Sequence, residues 1–260
     1  MPTALFLSPH LDDVAFSCGG TLLRLADDPA WRVVLCTVFT ATVDNPQGFA
    51  LRCQTDKGLA PEVDYMALRR EEDRAFAEGA GVDDAWQWEL PEAPHRGYDS
   101  PAELFAGERA DDAVWQSVRD NLTSIDAELR PDVVFAPQGL GNHVDHLQTI
   151  RAVLGVYPDG RNVCWYRDTP YAIREPAAPP STLLAEVRLT QHRVSLTDDM
   201  LARKVKGCCQ YASQIGFQFG GADGVREKLT AFHQAEAGGS GYAETFLLAQ
   251  DSPLTSLLLS

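Results

Sequence analysis

The stretch TALFLSPHLDDVAFSCGG, residues 3–20, joins a short apolar run to one histidine and two adjacent aspartates. TALFLS (residues 3–8) predicts a buried β-strand, and the polar group PHLDD (residues 9–13) lies directly past its end. The pair Gly19-Gly20 predicts a break, followed by a helix through TLLRLADD (residues 21–28). A buried strand, a polar turn and a helix together form the basic unit of an α/β protein.

The same alternation continues through about residue 160. Further buried strands are predicted at WRVVLCTVFT (31–40), AWQWEL (85–90) and PDVVFAP (131–137). A charged amphipathic helix is predicted over residues 65–80, and apolar residues recur at helical spacing over residues 111–129. Buried apolar strands that alternate with helices indicate a parallel sheet with both faces covered. The sequence therefore predicts a doubly wound, Rossmann-like α/β fold with a mostly parallel sheet and helices on both faces.

The last hundred residues have a different character. TLLAEVRLTQHRVSL (182–196) and ETFLLA (244–249) predict strands, separated by a helix that Thr197 caps and that runs toward Ser213. We expect residues 1–260 to form a single domain, because 260 residues can enclose one large core. Residues 161–260 are expected to add strands and two helices around that core.

Composition excludes several classes of function. The formal net charge of −15 argues against nucleic acid or an anionic membrane surface as a partner, since both require clustered Lys and Arg. No segment has enough consecutive apolar residues to span a membrane, and the N-terminus lacks the basic region of a signal peptide. The six scattered cysteines contain no C-x-x-C pair, so disulfides are not expected. These features predict a cytoplasmic protein.

A second polar cluster, GLGNHVDH (residues 139–146), follows the strand predicted at 131–137. Ligands of parallel α/β sheets bind at the carboxyl ends of the strands, so both polar clusters are expected at one edge of the sheet. Each cluster alone has an ordinary structural explanation. Asp12 and Asp13 could cap the following helix, and Asn142 could cap the helix that carries His143 and His146. Two such clusters at equivalent strand ends favour a catalytic zinc site instead.

The sequence resembles a known family at these two clusters. PHLDD is similar to the Pro-His-Pro-Asp-Asp signature of the PIG-L/LmbE zinc de-N-acetylases, and HVDH to their His-Pro-Asp-His motif. LRREEDRAFAEGAGV (68–82) and KGCCQYASQ (206–214) resemble two helices of that family. The resemblance implies an LmbE-type fold and removal of an acetyl group from an N-acetylglucosamine-type sugar conjugate.

The resemblance also implies roles for individual residues. His10, Asp13 and His146 would hold Zn²⁺, Asp12 would be the general base, and His143 would stabilise the oxyanion with Asp145 orienting it. Zinc would lower the pKa of a water molecule, and Asp12 would accept its proton. The chain departs from the family at Leu11 and Val144, which replace prolines. It also departs at Gly141, where some members place a tyrosine.

Two further residues are candidates for contacting the substrate. Arg69 could grip a hydroxyl, carboxylate or phosphate group, and Asp99 could accept hydrogen bonds from sugar hydroxyls. Each also has an ordinary explanation, as a surface helix charge for Arg69 and as a turn residue for Asp99.

Two other functions compete with de-N-acetylation. Carboxylate-rich strand ends also hold magnesium in phosphoester hydrolases, although several imidazoles favour zinc. A non-catalytic carbohydrate-binding relative would not need an aspartate beside the metal ligands. The expected partner is therefore a small-molecule amino-sugar conjugate, and the family resemblance also favours a homo-oligomer.

Overall fold

The computed structural model describes residues 1–254 and contains a seven-stranded sheet. The strands are β1 (Thr3–Ser8), β2 (Arg32–Thr37), β3 (Asp84–Gln87), β4 (Val133–Pro137), β5 (Val163–Tyr166), β6 (Leu189–Leu196) and β7 (Tyr242–Ala249). Their order in the sheet is β3-β2-β1-β4-β5-β7-β6. The first five strands pair in parallel, whereas β7 is antiparallel to both β5 and β6. The predicted doubly wound, mostly parallel sheet is confirmed.

Ten α-helices lie in the described residues. They are α1 (Asp13–Ala26), α2 (Gly48–Thr55), α3 (Tyr65–Ala80), α4 (Pro101–Leu104), α5 (Val114–Leu129), α6 (Val144–Val156), α7 (Tyr171–Arg174), α8 (Asp198–Cys208), α9 (Ala212–Phe219) and α10 (Ala222–Glu236). In residues 1–254 no helix combines the length and the apolar character needed to cross a bilayer.

The two faces of the sheet carry separate apolar cores. Successive side chains of a strand point to opposite faces, so Ala4 and Phe6 of β1 enter one core and Leu5 and Leu7 enter the other. The first core also contains residues of α1, α3, α8, α9 and α10. The second contains residues of α5 and α6. Helices therefore cover both faces, as the continuous apolar runs predict.

The break predicted at Gly19-Gly20 is wrong in detail. Both glycines lie inside α1, which is kinked one residue earlier at Cys18 (φ −131°, ψ 24°). After the kink, the backbone N–H groups of Gly20 and Thr21 donate to the buried carboxylate of Glu244 at 2.9 and 2.7 Å. A Cβ atom on Gly20 would lie 2.7 Å from Leu196 Cδ2, so glycine permits this close packing. A distant strand therefore keeps the chain helical where the local sequence suggests an end.

Two helices were expected after residue 160, but four follow β5, namely the one-turn α7 and the longer α8, α9 and α10. Thr197 does cap α8, accepting a hydrogen bond from Met200 N at 3.1 Å. The helix predicted to run toward Ser213 ends at Cys208, and α9 begins after a short turn. The carboxylate of Glu72 accepts hydrogen bonds from both Ser213 N and Ser213 Oγ at the start of α9. This cap comes from α3, so the local sequence does not indicate it.

Candidate active site

The two polar clusters meet at the centre of the sheet. β1 and β4 are neighbours, and Leu5 lies opposite Val134 in the register. Their carboxyl ends are therefore at the same edge. The ring centroid of His10, after β1, lies 4.8 Å from that of His143 and 5.3 Å from that of His146, both after β4. The predicted meeting of the two clusters is thus observed in the structure.

Asp13 lies between the imidazoles of His10 and His146. Its Oδ2 atom is 3.1 Å from His10 Nδ1 and 3.2 Å from His146 Nε2. His146 Nε2 is buried and has no hydrogen-bond partner. Ligands of a tetrahedral zinc ion lie about 3.3 Å from one another, given metal–ligand bonds of about 2.0–2.1 Å. The donor types, their spacing and the unpartnered nitrogen fit a divalent metal ion at these three atoms.

The structure also allows a second ligand set. One ring nitrogen from each of His10, His143 and His146 lies within 4.8 Å of the other two. Asp13 Oδ2 lies well inside this limit from both His10 Nδ1 and His146 Nε2.

Two buried carboxylates orient these imidazoles from behind. Asp145 Oδ2 lies 2.9 Å from His10 Nε2, and Asp168 Oδ1 lies 2.5 Å from His146 Nδ1. Each contact leaves the other ring nitrogen free to face Asp13. Carboxylates in this position fix the tautomer of a metal-binding histidine and raise its basicity. Asp168 follows the end of β5 and was missed at the sequence level, although an acid just past a buried strand fits the rule applied to β1 and β4.

The predicted role of Asp145 as the residue orienting His143 needs correction. Its carboxylate binds His10 and also lies 2.7 Å from the guanidinium of Arg96. Burial raises the pKa of Asp145, but Arg96 and His10 outweigh burial and hold it below its usual range. No local pattern in the sequence indicated Arg96.

His143, rather than Asn142, is the N-cap of α6. Its Nδ1 atom accepts a hydrogen bond from the backbone N–H of Asp145 at 3.3 Å. Burial, together with the nearby His10, holds the pKa of His143 well below its usual range. The ring is therefore neutral, and because Nδ1 is the acceptor, Nε2 carries the proton. His143 can thus act as a hydrogen-bond donor in the cavity.

Asp12 does not cap α1. It is the N-cap residue, but its side chain makes no capping hydrogen bond. Its Oδ2 atom lies 3.8 Å from a guanidinium nitrogen of Arg69, which also forms an ion pair with Glu92. Burial raises the pKa of Asp12 to about 7, and Arg69 opposes this shift.

The environment of Asp13 has the opposite effect. Burial alone would raise its pKa, but His146 and His10 lower it well below the usual value. Adjacent carboxylates whose pKa values are pushed apart are typical of groups with different chemical tasks.

A cavity of about 300 Å³ opens above these groups. His10, Asp12, Asp13, His143 and Asp145 line it, and so does Arg69. Residues from α2, α4, α7 and α9, or directly adjacent to them, form much of the rest of its wall. His10 and Asp13, predicted as metal ligands, thus line one cavity with Asp12, the predicted base, and His143, the predicted oxyanion residue. His146, the third predicted metal ligand, is buried behind them.

Asp99 does not join this group. It is exposed, does not line the cavity, and its backbone N–H donates to Glu103 Oε2 at 2.9 Å. The structure therefore places Asp99 in the turn that leads into α4 and not at the cavity, and a substrate contact at this residue stays a prediction.

Tyr171 is a further lining residue that sequence reasoning missed. A Cβ atom on Gly141 (φ 81°) would lie 3.0 Å from Tyr171 Cδ1. The Tyr171 ring centroid is 5.7 Å from that of His146. A tyrosine from α7 thus fills the space beside Gly141, where a tyrosine from the His143 loop is absent.

This chain is similar to several proteins that are named as deacetylases. Residues 5–157 match the PIG-L family, described as GlcNAc-PI de-N-acetylase. The chain is 34% identical over 212 residues to 2'-N-acetylparomamine deacetylase from Streptomyces fradiae, covering 81% of this chain and 72% of that protein. The zinc-inhibited form of teicoplanin deacetylase Orf2 superposes with a TM-score of 0.79 at 25% identity, covering 96% of this chain and 99% of the other. The A40926 pseudoaglycone deacetylase Dbv21 superposes with a TM-score of 0.80 at 25% identity, covering 94% and 96% of the two chains. With both motifs of the family at one cavity, the chain belongs to the PIG-L family of de-N-acetylases.

Proposed function

We propose that this protein is a zinc-dependent hydrolase that removes the acetyl group from an N-acetylglucosamine-type sugar conjugate. The observation that carries the proposal is the meeting of His10, Asp13 and His146 at one point, with Asp12 beside them and not engaged in capping. Three similar proteins are named as deacetylases, one of them of 2'-N-acetylparomamine, and these names support the same reaction.

His10 Nδ1, Asp13 Oδ2 and His146 Nε2 are the atoms that would hold the ion. Bound zinc supplies a Lewis acid and lowers the pKa of adjacent water toward about 7. Asp145 and Asp168 keep the two imidazoles in the tautomers that such binding needs.

In amide hydrolysis, Asp12 transfers the proton and His143 stabilises the developing negative charge. Asp12 accepts a proton from the attacking water, whose oxygen forms a bond to the amide carbonyl carbon. His143 Nε2–H donates to the carbonyl oxygen as negative charge develops there. When the C–N bond breaks, Asp12 returns its proton to the leaving nitrogen, giving acetate and a free amine.

Arg69 forms an ion pair with Asp12 and is also proposed to contact the substrate. Its guanidinium lies 3.8 Å from Asp12 Oδ2, and it lines the cavity. Its Nε atom is buried and has no hydrogen-bond partner in the described residues, so one donor of this guanidinium is not used by the protein.

The two competing functions are less well supported. A phosphoester hydrolase would be expected to have free cations around the cavity floor, but Arg69 is engaged with Glu92 and Asp12. A carbohydrate-binding protein without activity would have no need for Asp12 beside His10, Asp13 and His146. A cytoplasmic location and homo-oligomer formation stay predictions.

The proposal is tested by metal analysis and acetate release. The purified protein should hold about one zinc ion per chain and release acetate from an N-acetylglucosaminide. Asp12→Asn should keep the metal and lose turnover by about 10²–10⁴-fold, whereas His146→Ala should lose the metal. Asp120→Asn, an exposed change on α5, is the control and should alter neither. Full activity in Asp12→Asn would show that the base is assigned wrongly. Equal metal loss in Asp12→Asn and His146→Ala would mean that the two aspartates have exchanged roles.

A further inference from the structure

The outer part of the cavity differs sharply from its floor. The floor is built from histidines and carboxylates, whereas Phe49, Phe105 and Phe217 stand on the wall. Phe105 is 40% exposed and Phe217 is 62% exposed. Among the large hydrophobic side chains that are exposed in residues 1–254, these two are the aromatic ones, and both line this cavity. Exposed apolar side chains grouped at one cleft are typical of a binding surface.

Phe105 connects the aromatic wall to the reaction centre. Its ring centroid lies 5.3 Å from that of His143 in an edge-to-face arrangement. It also lies 5.8 Å from the ring of Tyr171. A substrate whose acetamido group reaches His143 would therefore place the rest of the molecule along aromatic side chains. An aromatic group on the substrate would gain about 0.5–1.5 kcal/mol from each offset or edge-to-face contact with such a ring, beyond the area that it buries.

The outer wall carries two cations, Lys57 and Arg174, and one exposed acid, although the chain as a whole carries −15. Lys57 Nζ lies 5.1 Å from the ring centroid of Tyr65 and 5.5 Å from that of Phe217. The exposed guanidinium of Arg174 lies 5.9 Å from the ring of Tyr171 and donates to Gln218 Oε1 at 2.6 Å. Asp56 is the exposed acid among the lining residues. A substrate with several ammonium groups would meet two cations here, and the faces of Tyr65, Phe217 and Tyr171 already have cations over them.

We propose that the substrate of this enzyme is an acetylated amino sugar with an aromatic aglycone, held against Phe105 and Phe217, and not a polycationic aminoglycoside. This inference rests on the proposed function, since it places the acetamido group at the cavity floor. It predicts a substrate different from the one in the name of the relative 2'-N-acetylparomamine deacetylase. The aromatic wall and the two cations determine which conjugate enters, whereas the floor determines the reaction.

The test compares two glycosides that differ only in the aglycone, 4-nitrophenyl and methyl N-acetyl-β-D-glucosaminide, with 2'-N-acetylparomamine as a third substrate. We expect kcat/KM to be about tenfold higher for the nitrophenyl glycoside than for the methyl glycoside, mainly through KM. Phe217→Ala should reduce this ratio toward one, and Phe105→Ala should reduce it as well. Phe232→Ala, on α10 and outside the cavity, is the matched control and should leave the ratio unchanged.

Calorimetry separates a failure of this inference from a failure of the proposed function. The ligands are 4-nitrophenyl and methyl β-D-glucosaminide, which carry no acetyl group. Equal kcat/KM for the two acetylated glycosides, or a higher value for 2'-N-acetylparomamine, would overturn the inference and leave the deacetylase activity standing. Tighter binding of the nitrophenyl ligand without acetate release from any substrate would support the aromatic subsite and refute the proposed reaction. Neither binding nor acetate release would refute both.

Discussion

Asp168 is the residue on which the proposed metal site can be tested most sharply. It is fully buried, its Oδ1 lies 2.5 Å from His146 Nδ1, and its Oδ2 accepts a hydrogen bond from Leu140 N at 3.1 Å. Asp168→Asn keeps the size of the side chain but replaces one acceptor oxygen with an NH₂ group. One of the two donors then loses its acceptor, and the imidazole loses the carboxylate that fixes its tautomer.

The expected effect on metal binding follows from the hydrogen bond that is lost. A hydrogen bond to a charged group contributes about 1.5–3 kcal/mol. A loss of that size at the ligand corresponds to about a 10–100-fold weaker zinc affinity, which is also the usual effect of removing such a carboxylate. Zinc affinity is measured by competition with a chelator of known affinity, and thermal unfolding is followed with and without zinc.

Asp73→Asn is the matched control for this experiment. Asp73 is also buried and accepts hydrogen bonds from Thr37 Oγ1 and Tyr211 Oη, both at 2.9 Å. We expect Asp73→Asn to lower stability without weakening zinc binding. If Asp168→Asn binds zinc as tightly as the unchanged protein, then His146 is not the ligand that Asp168 orients, and the reasoning is refuted.

Two further predictions concern the buried polar cluster behind α1. Lys204 is fully buried, with Nζ 2.7 Å from Glu244 Oε1 and 3.0 Å from Ser17 O, so Lys204→Met leaves Glu244 as an unpaired buried charge. We expect urea unfolding to show a loss of about 3–5 kcal/mol, and a loss below about 1 kcal/mol would contradict this account. Burial, with Lys204 nearby, lowers the pKa of His233 from 6.5 to about 3. Below pH 6.5 the unfolded chain therefore takes up a proton that folded His233 does not, and this residue lowers stability as the pH falls toward 3, by about 1.4 kcal/mol per pH unit. His233→Gln should remove that part of the acid slope in denaturant titrations at several pH values, and an unchanged slope would show that His233 is protonated in the folded state.

The central part of the fold could be predicted from the sequence because its signals are local. TALFLS and PDVVFAP are continuous apolar runs, and both form buried strands. The helix predicted over residues 65–80 is observed with the same bounds, since its periodicity is uninterrupted and Asp64 caps it. The rule that polar residues past parallel strands meet at one edge then placed His10 near His146 without any structure.

The remaining features depend on partners that are distant in the sequence. Glu244 continues α1 past its kink, more than 200 residues away along the chain. Glu72 begins α9 in the same way, across a separation of 141 residues. Arg96 neutralises Asp145 from a segment without regular periodicity. In each case the decisive contact joins elements whose relative position is known only once the sheet has formed, so no local pattern carries the information.

The position of the cavity follows from the topology itself. The helix that leaves β1, α1, packs on one face of the sheet, and the helix that leaves β4, α6, packs on the other. Two neighbouring strands whose chains diverge in this way leave an uncovered crevice between their ends. The reacting groups therefore need only short turns on rigid strands, whereas much of the outer wall comes from α2, α4, α7 and α9, each of eight residues or fewer. Because α2, α4 and α7 contribute no buried residue to the two main cores, their residues can change with the substrate while the histidines and aspartates beneath them keep one geometry.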